Sequence, residues 1–149
     1  MSDGVLGHLR PDLIQKMVDA ITNLVWGKQQ VIDLFRNAGV PDRLLQDFQQ
    51  QVIRDKDSVK KPIMIRTILQ RMNDAGDSAD AVRMRREVVR RVIEWKNYST
   101  CQPNCEDIAR GAVASVQEIV DMYDFITEIR QERDRLETGI ESGASAGDS

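Results

Sequence analysis

Histidine is almost missing from this 149-residue chain, with His8 alone, and cysteine is nearly so, with Cys101 and Cys105. One imidazole and two thiols fall far short of a four-ligand zinc site. The C-x3-C spacing is not that of a C-x-x-C dithiol centre. Two cysteines are also too few for a disulfide scaffold. Both are expected as buried or half-buried thiols; a bond between them would need the turn to fold back on itself. His8, in a short N-terminal arm, is assigned no chemical role. With so little histidine there is no positioned base for a hydrolase triad.

Phosphate-binding sequences are lacking too, since neither G-x-x-x-x-G-K-[ST] nor G-x-G-x-x-G occurs. The acidic pairs Asp55/Asp57 and Asp74/Asp77 fall in turns and read as turn and cap residues, not as a metal-dependent nuclease cluster. The chain is therefore expected to be non-catalytic, with no cofactor and no metal. Aromatics are 5% of the residues, so Leu, Ile, Val and Met must fill the core. No apolar run approaches the ~20 residues of a membrane span. No basic segment followed by an apolar one marks a secretory signal. The expected address is cytoplasmic, without membrane contact.

What is present is a folded composition of 41% hydrophobic and 30% charged residues, enough for one domain with a real core. Net charge is −3 but uneven. Residues 1–53 hold five basic and six acidic residues, 54–96 twelve and seven, and 97–149 four and eleven. A basic middle and an acidic end either form two binding faces or pack on each other; packing is the preferred reading.

Periodicity gives helices only. Pro11 suits a first helical position, and Leu13, Ile14, Met17, Val18, Ile21, Leu24 and Val25 follow at helical spacing. Trp26-Gly27 interrupts, and a second helix runs over about 28–38, closed by Gly39; one kinked helix over 12–38 is the rival. Pro41 opens a third helix with Leu44, Leu45, Phe48, Val52 and Ile53 on one face. Residues 55–58 read as a polar loop. Pro62 starts a fourth helix, with Ile65, Ile68, Leu69 and Met72 inward, before a turn at 73–77. The fifth runs over about 79–97 and leads into a connector at 98–103. The last begins near Asn104, with Ile108, Ala112, Val113, Val116, Ile119, Val120, Tyr123 and Ile126 as its stripe. The fold expected is an all-α, compact bundle of five to six helices with a long C-terminal helix. Residues 1–9 form a mobile arm, 10–129 the helical domain, 130–138 a projecting helix end and 139–149 a flexible tail or linker.

The fifth helix carries the most chemistry. At 100° per residue, Val82, Val88, Val89, Val92 and Ile93 fall between about 140° and 280° from Arg83. Arg83, Arg86, Arg90 and Arg91 fall on the other side, with Glu87 and Glu94 among them. Pairs Arg83–Glu87, Glu87–Arg91 and Arg90–Glu94 would part-neutralise this face. Arg85 sits inside the apolar arc and needs a partner, for which an acid of the last helix is expected. Lys96 is expected to reach solvent. Trp95, Tyr98, Cys101 and Pro103, with Arg85, form a structural joint between the last two helices. Lys60, Lys61, Arg83, Arg86, Arg90 and Arg91 are candidate contacts for a partner or nucleic acid, with Arg66 and Arg71 joining them in the nucleic-acid reading.

The segments LIQKMVDAITNLVWGKQQVIDLFRNAGVP (13–41), IRTILQRMNDAGD (65–77) and RREVVRRVIEWKNYSTCQP (85–103) resemble the amino-terminal helical region of bacterial restriction-endonuclease-like and phage-defence proteins. The likeness spans roughly 10–130. It implies an adaptor that precedes a coiled coil and a separate effector; no nuclease residue is carried over, because none is present. The function expected is a helical adaptor for protein–protein interaction or oligomerisation in anti-phage defence. The alternative is a nucleic-acid-binding regulator using the basic 60–96 segment.

Overall fold

The computed structural model describes residues 8–98 and 105–146, with side chains outside 125–131 and 137–146. Its elements are α1 (Pro11–Leu24), α2 (Lys28–Asn37), α3 (Gln46–Asp55), α4 (Lys61–Asp74), α5 (Ala79–Ile93) and α6 (Glu106–Ala146). Short 3-10 turns at Asp42–Leu44 and Lys56–Ser58 flank α3. The described backbone contains no strand, so the fold is an all-α bundle.

Helix α1 is the central element. Leu13, Met17, Ile21 and Leu24 have no exposed surface, and Ile14, Val18 and Ala20 are buried beside them. Such wide burial follows from packing on α4, α5 and α6 together. Each fully buried aliphatic stabilises the fold by about 1.5–3 kcal/mol. Helices α1 and α4 are antiparallel. At one end Leu9 N–H donates to Asn73 Oδ1 and Asn73 Nδ2 donates back to Leu9 O, both at 2.7 Å. At the other, Lys61 Nζ reaches the carbonyls of Val25 and Trp26. Leu9 is 2% exposed and belongs to the core, not to a mobile arm.

The break between α1 and α2 is real, and the kinked-helix alternative fails. Val25 is extended at φ −125°, ψ 142°, and Gly27 caps α2 in extended backbone. Gln30 Oε1 accepts from the amides of both Trp26 and Gly27 at 3.0 Å, fixing the corner. Gly39 (φ 101°) and Gly76 (φ 98°) end α2 and α4 in the left-handed region that favours glycine. Ser78 Oγ accepts from Ala81 N–H and starts α5.

Three expected boundaries move. The helix expected from Pro41 is a 3-10 turn followed by α3, and Ile53 is 76% exposed. Phe48 and Val52 lie one turn apart on the packed face, while Ile53 points ~140° away from Phe48. Helix α5 ends at Ile93, not Asn97, because the chain turns to carry Tyr98 into the core. Helix α6 starts at Glu106 and continues through Gly139 to Ala146, where composition suggested a tail. Its bundle-facing residues are Ala109, Val113, Val116, Val120 and Tyr123, with Ala112 and Ile119 half-buried beside them; Ile108 is 58% exposed. The Tyr123 hydroxyl donates to Asp12 in the first turn of α1, and Arg10 lies over the Tyr123 ring at 5.1 Å.

Candidate interaction surfaces

The cations of the basic segment divide sharply by environment. Arg85 is completely buried. Its partner is not an acid of α6 but the end of α4: Nη1 donates to Met72 O at 2.6 Å and Nη2 to Gly76 O at 2.8 Å. Those carbonyls are orphaned where α4 stops, and a cation there meets the negative end of the helix dipole. Nε has no partner. Burial lowers the guanidinium pKa, while nearby Asp77 works against that shift. Lys61 repeats the arrangement at the end of α1. Its ammonium donates to Val25 O at 2.8 Å and Trp26 O at 2.9 Å, and burial lowers its pKa. Lys61 is thus a buried helix cap, and the expectation of a surface contact is corrected.

The outer arginines of α5 stay exposed and are mostly engaged. Glu87 accepts from Arg91 Nε at 2.8 Å and from Arg90 Nε at 3.0 Å, and Arg90 Nη1 reaches Glu94 at 2.7 Å. The arginines hold the Glu87 carboxyl below its ordinary range. Arg83 pairs with Asp80 at 3.0 Å, not with Glu87. Arg71 makes a two-pronged bridge to Asp47 at 2.8 and 2.9 Å and lies over the Phe48 ring at 4.8 Å. Arg66 donates to Gln15. Among the described residues only Lys60 and Arg86 of the eight basic candidates lack such a partner. No described ion pair joins α4 or α5 to α6. Among the described residues the basic middle is neutralised mainly within α5 and against α3, not by the acidic end.

Two grooves lie along this face. One, about 740 Å³, is lined by Asn37, Arg43, Ser78, Asp80, Arg83 and Glu87. The other, about 640 Å³, is lined by Val25, Leu34, Asn37, Arg91, Glu94 and Trp95. Each is lined by cations and anions together.

At the joint, Tyr98 is buried with Arg110 of α6 over its ring at 4.2 Å. Trp95 is half-buried against the core and donates through Nε1 to Asn97 O at 3.1 Å. Cys101 and Pro103 lie outside the described residues. Cys105 is half-buried immediately before α6. His8 is exposed, 3.0 Å from Asp77. Among the described residues no group of three or more His, Cys, Asp or Glu could hold a metal, and no helix is long and apolar enough to cross a membrane.

No known family, characterised protein or solved structure matches this chain.

Sequence reasoning passed over the exposed apolar residues Trp26 (59%) and Ile63 (57%). In sequence Trp26 stands out only as part of the Trp26-Gly27 helix break. Ile63, one residue past Pro62, lies off the Ile65–Ile68–Leu69 face, and a wheel of α4 would have exposed it.

Proposed function

We propose that this chain is a non-catalytic helical adaptor that acts through protein–protein contact, with α6 as its connecting arm. The observation that carries this reading is the mismatch between α6 and the bundle. Helix α6 has 41 residues, about 61 Å at 1.5 Å per residue. Its last described bundle contact residue is Tyr123, already beside the first turn of α1. The described side chains beyond it, 124 and 132–136, are all exposed. A helix that outruns its own core by this much serves best as a link to another polypeptide. The resemblance of 13–41, 65–77 and 85–103 to phage-defence proteins supplies the setting we propose, a bacterial anti-phage system.

The nucleic-acid alternative loses most of its residues to other work. Lys61 is a buried cap, and Arg71, Arg83, Arg90 and Arg91 are ion-paired. Two experiments test the adaptor reading. Fluorescence anisotropy with labelled DNA and RNA, at about 50 and 200 mM salt, should reveal no complex with a steep salt slope. Affinity purification from the native host should recover a partner protein with the full chain and lose it when 130–149 is deleted. A salt-sensitive complex abolished by Lys60→Ala/Arg86→Ala, or recovery indifferent to the deletion, would sink the reading.

A further inference from the structure

Helix α6 carries two stripes; the bundle buries one of them and takes the other only at its middle, where Ala112 and Ile119 lie half-buried against the core. The buried stripe is Ala109, Val113, Val116, Val120 and Tyr123, with steps of four and three. One position behind it runs a second series with the same steps: Ile108, Ala112, Ser115, Ile119 and Met122. In sequence the series continues unbroken through Ile126, Ile129, Arg133, Leu136 and Ile140. Alternating steps of three and four are the a/d pattern of a coiled-coil heptad. Of its ten positions, seven are Ile, Leu or Met. This seam lies about 100° round the helix from the buried one. Ile108 is 58%, Met122 48% and Leu136 59% exposed. The bundle therefore leaves the seam open at both ends.

We infer that a second copy of this chain covers this seam, so that two α6 helices pair as a coiled coil. The inference rests on the adaptor reading and gives it a partner. Identical helices with an a/d seam are complementary to one another under a two-fold axis. The seam runs from the bundle at Ile108 to Ile140, so its occupant needs a helix of matching length and period, and the chain itself supplies one. Of the seam's large apolar residues with described side chains, Ile108, Met122 and Leu136 are exposed in the single copy, and Ile119 is half-buried against the core. With Ile119, Ile126 and Ile140 at a, and Met122, Ile129 and Leu136 at d, Arg133 is the single charged a residue. A polar a residue fixes register at a cost in affinity.

Sedimentation or light scattering of the full chain over about 1–100 µM tests this. The expected mass is twice the 16.9 kDa of one chain. Met122→Glu/Leu136→Glu should return it to 16.9 kDa with an unchanged far-UV spectrum, since both side chains are exposed in the single copy. Arg133→Ile should tighten association by tenfold or more. A wild type that is monomeric at 100 µM overturns the second-copy proposal while leaving the adaptor reading to the host purification. A dimer that survives the double glutamate variant, or an Arg133→Ile chain that associates no more tightly, overturns it as well.

Discussion

Arg85 and Arg86 are neighbours in sequence and opposites in the fold. Arg85, with Lys61, lies inside, holding carbonyls at the ends of α4 and α1. Arg86, with Arg83, Arg90 and Arg91, lies outside on a face whose acids neutralise most of it. The same residue type thus does two unrelated jobs along one helix. A net charge of +5 over a segment is no measure of a binding face until its capping cations are subtracted and its local pairs matched.

The contrast can be broken most severely at Arg85. Arg85→Ala should cost on the order of 3 kcal/mol, from two lost charge-assisted hydrogen bonds and a cavity, offset in part by relief of a buried charge. Urea unfolding measures it. Arg85→Met keeps the bulk and should recover part of the loss; if the alanine variant melts like wild type, the cap is not structural. Lys61→Met should cost less, about 1–3 kcal/mol, because two carbonyls lose their donor while the stem's packing survives.

Trp95→Ala should follow at about 1–2 kcal/mol, below the cost for a fully buried tryptophan because the ring is only half-buried. No change in the unfolding midpoint would assign Trp95 wholly to the groove beside α2. A pH scan isolates the α1–α6 contact. Burial and the Asp12 bond raise the Tyr123 pKa from 10 to about 12. The folded state thus holds the phenol proton more tightly than the unfolded chain. The stabilisation is full below pH 10 and is lost as pH rises from about 10 to 12. Tyr123→Phe should flatten that alkaline decline; an unchanged decline would remove Tyr123 as its source. The smallest effect belongs to the outer face. Arg86→Gln and Arg90→Gln should barely move the melting temperature, as for exposed pairs generally, and a large drop would erase the distinction between inner and outer cations.

Much of this was legible beforehand. Pro11, Gly39 and the turn at 73–77 act through local backbone geometry, so they mark helix ends within a few residues. The apolar arc of α5 follows from its period alone, as does the pairing of Glu87 with Arg91. The stripe of α6 was legible only as a blend, because two seams one residue apart merge in any list of apolar positions.

Sequence by itself determined the helices, their punctuation and the all-α class, because these depend on interactions within four residues or on a period. Tertiary structure alone decided what each long-range group meets. The arc predicted that Arg85 would be buried, but only packing brought the end of α4, and not an acid of α6, to its guanidinium. Lys61 looked like a surface lysine until antiparallel α1 delivered the Val25 and Trp26 carbonyls to it. Likewise only the bundle could choose between the two seams of α6, since both satisfy the same helical period, and it buries one while taking the other only half-way at Ala112 and Ile119.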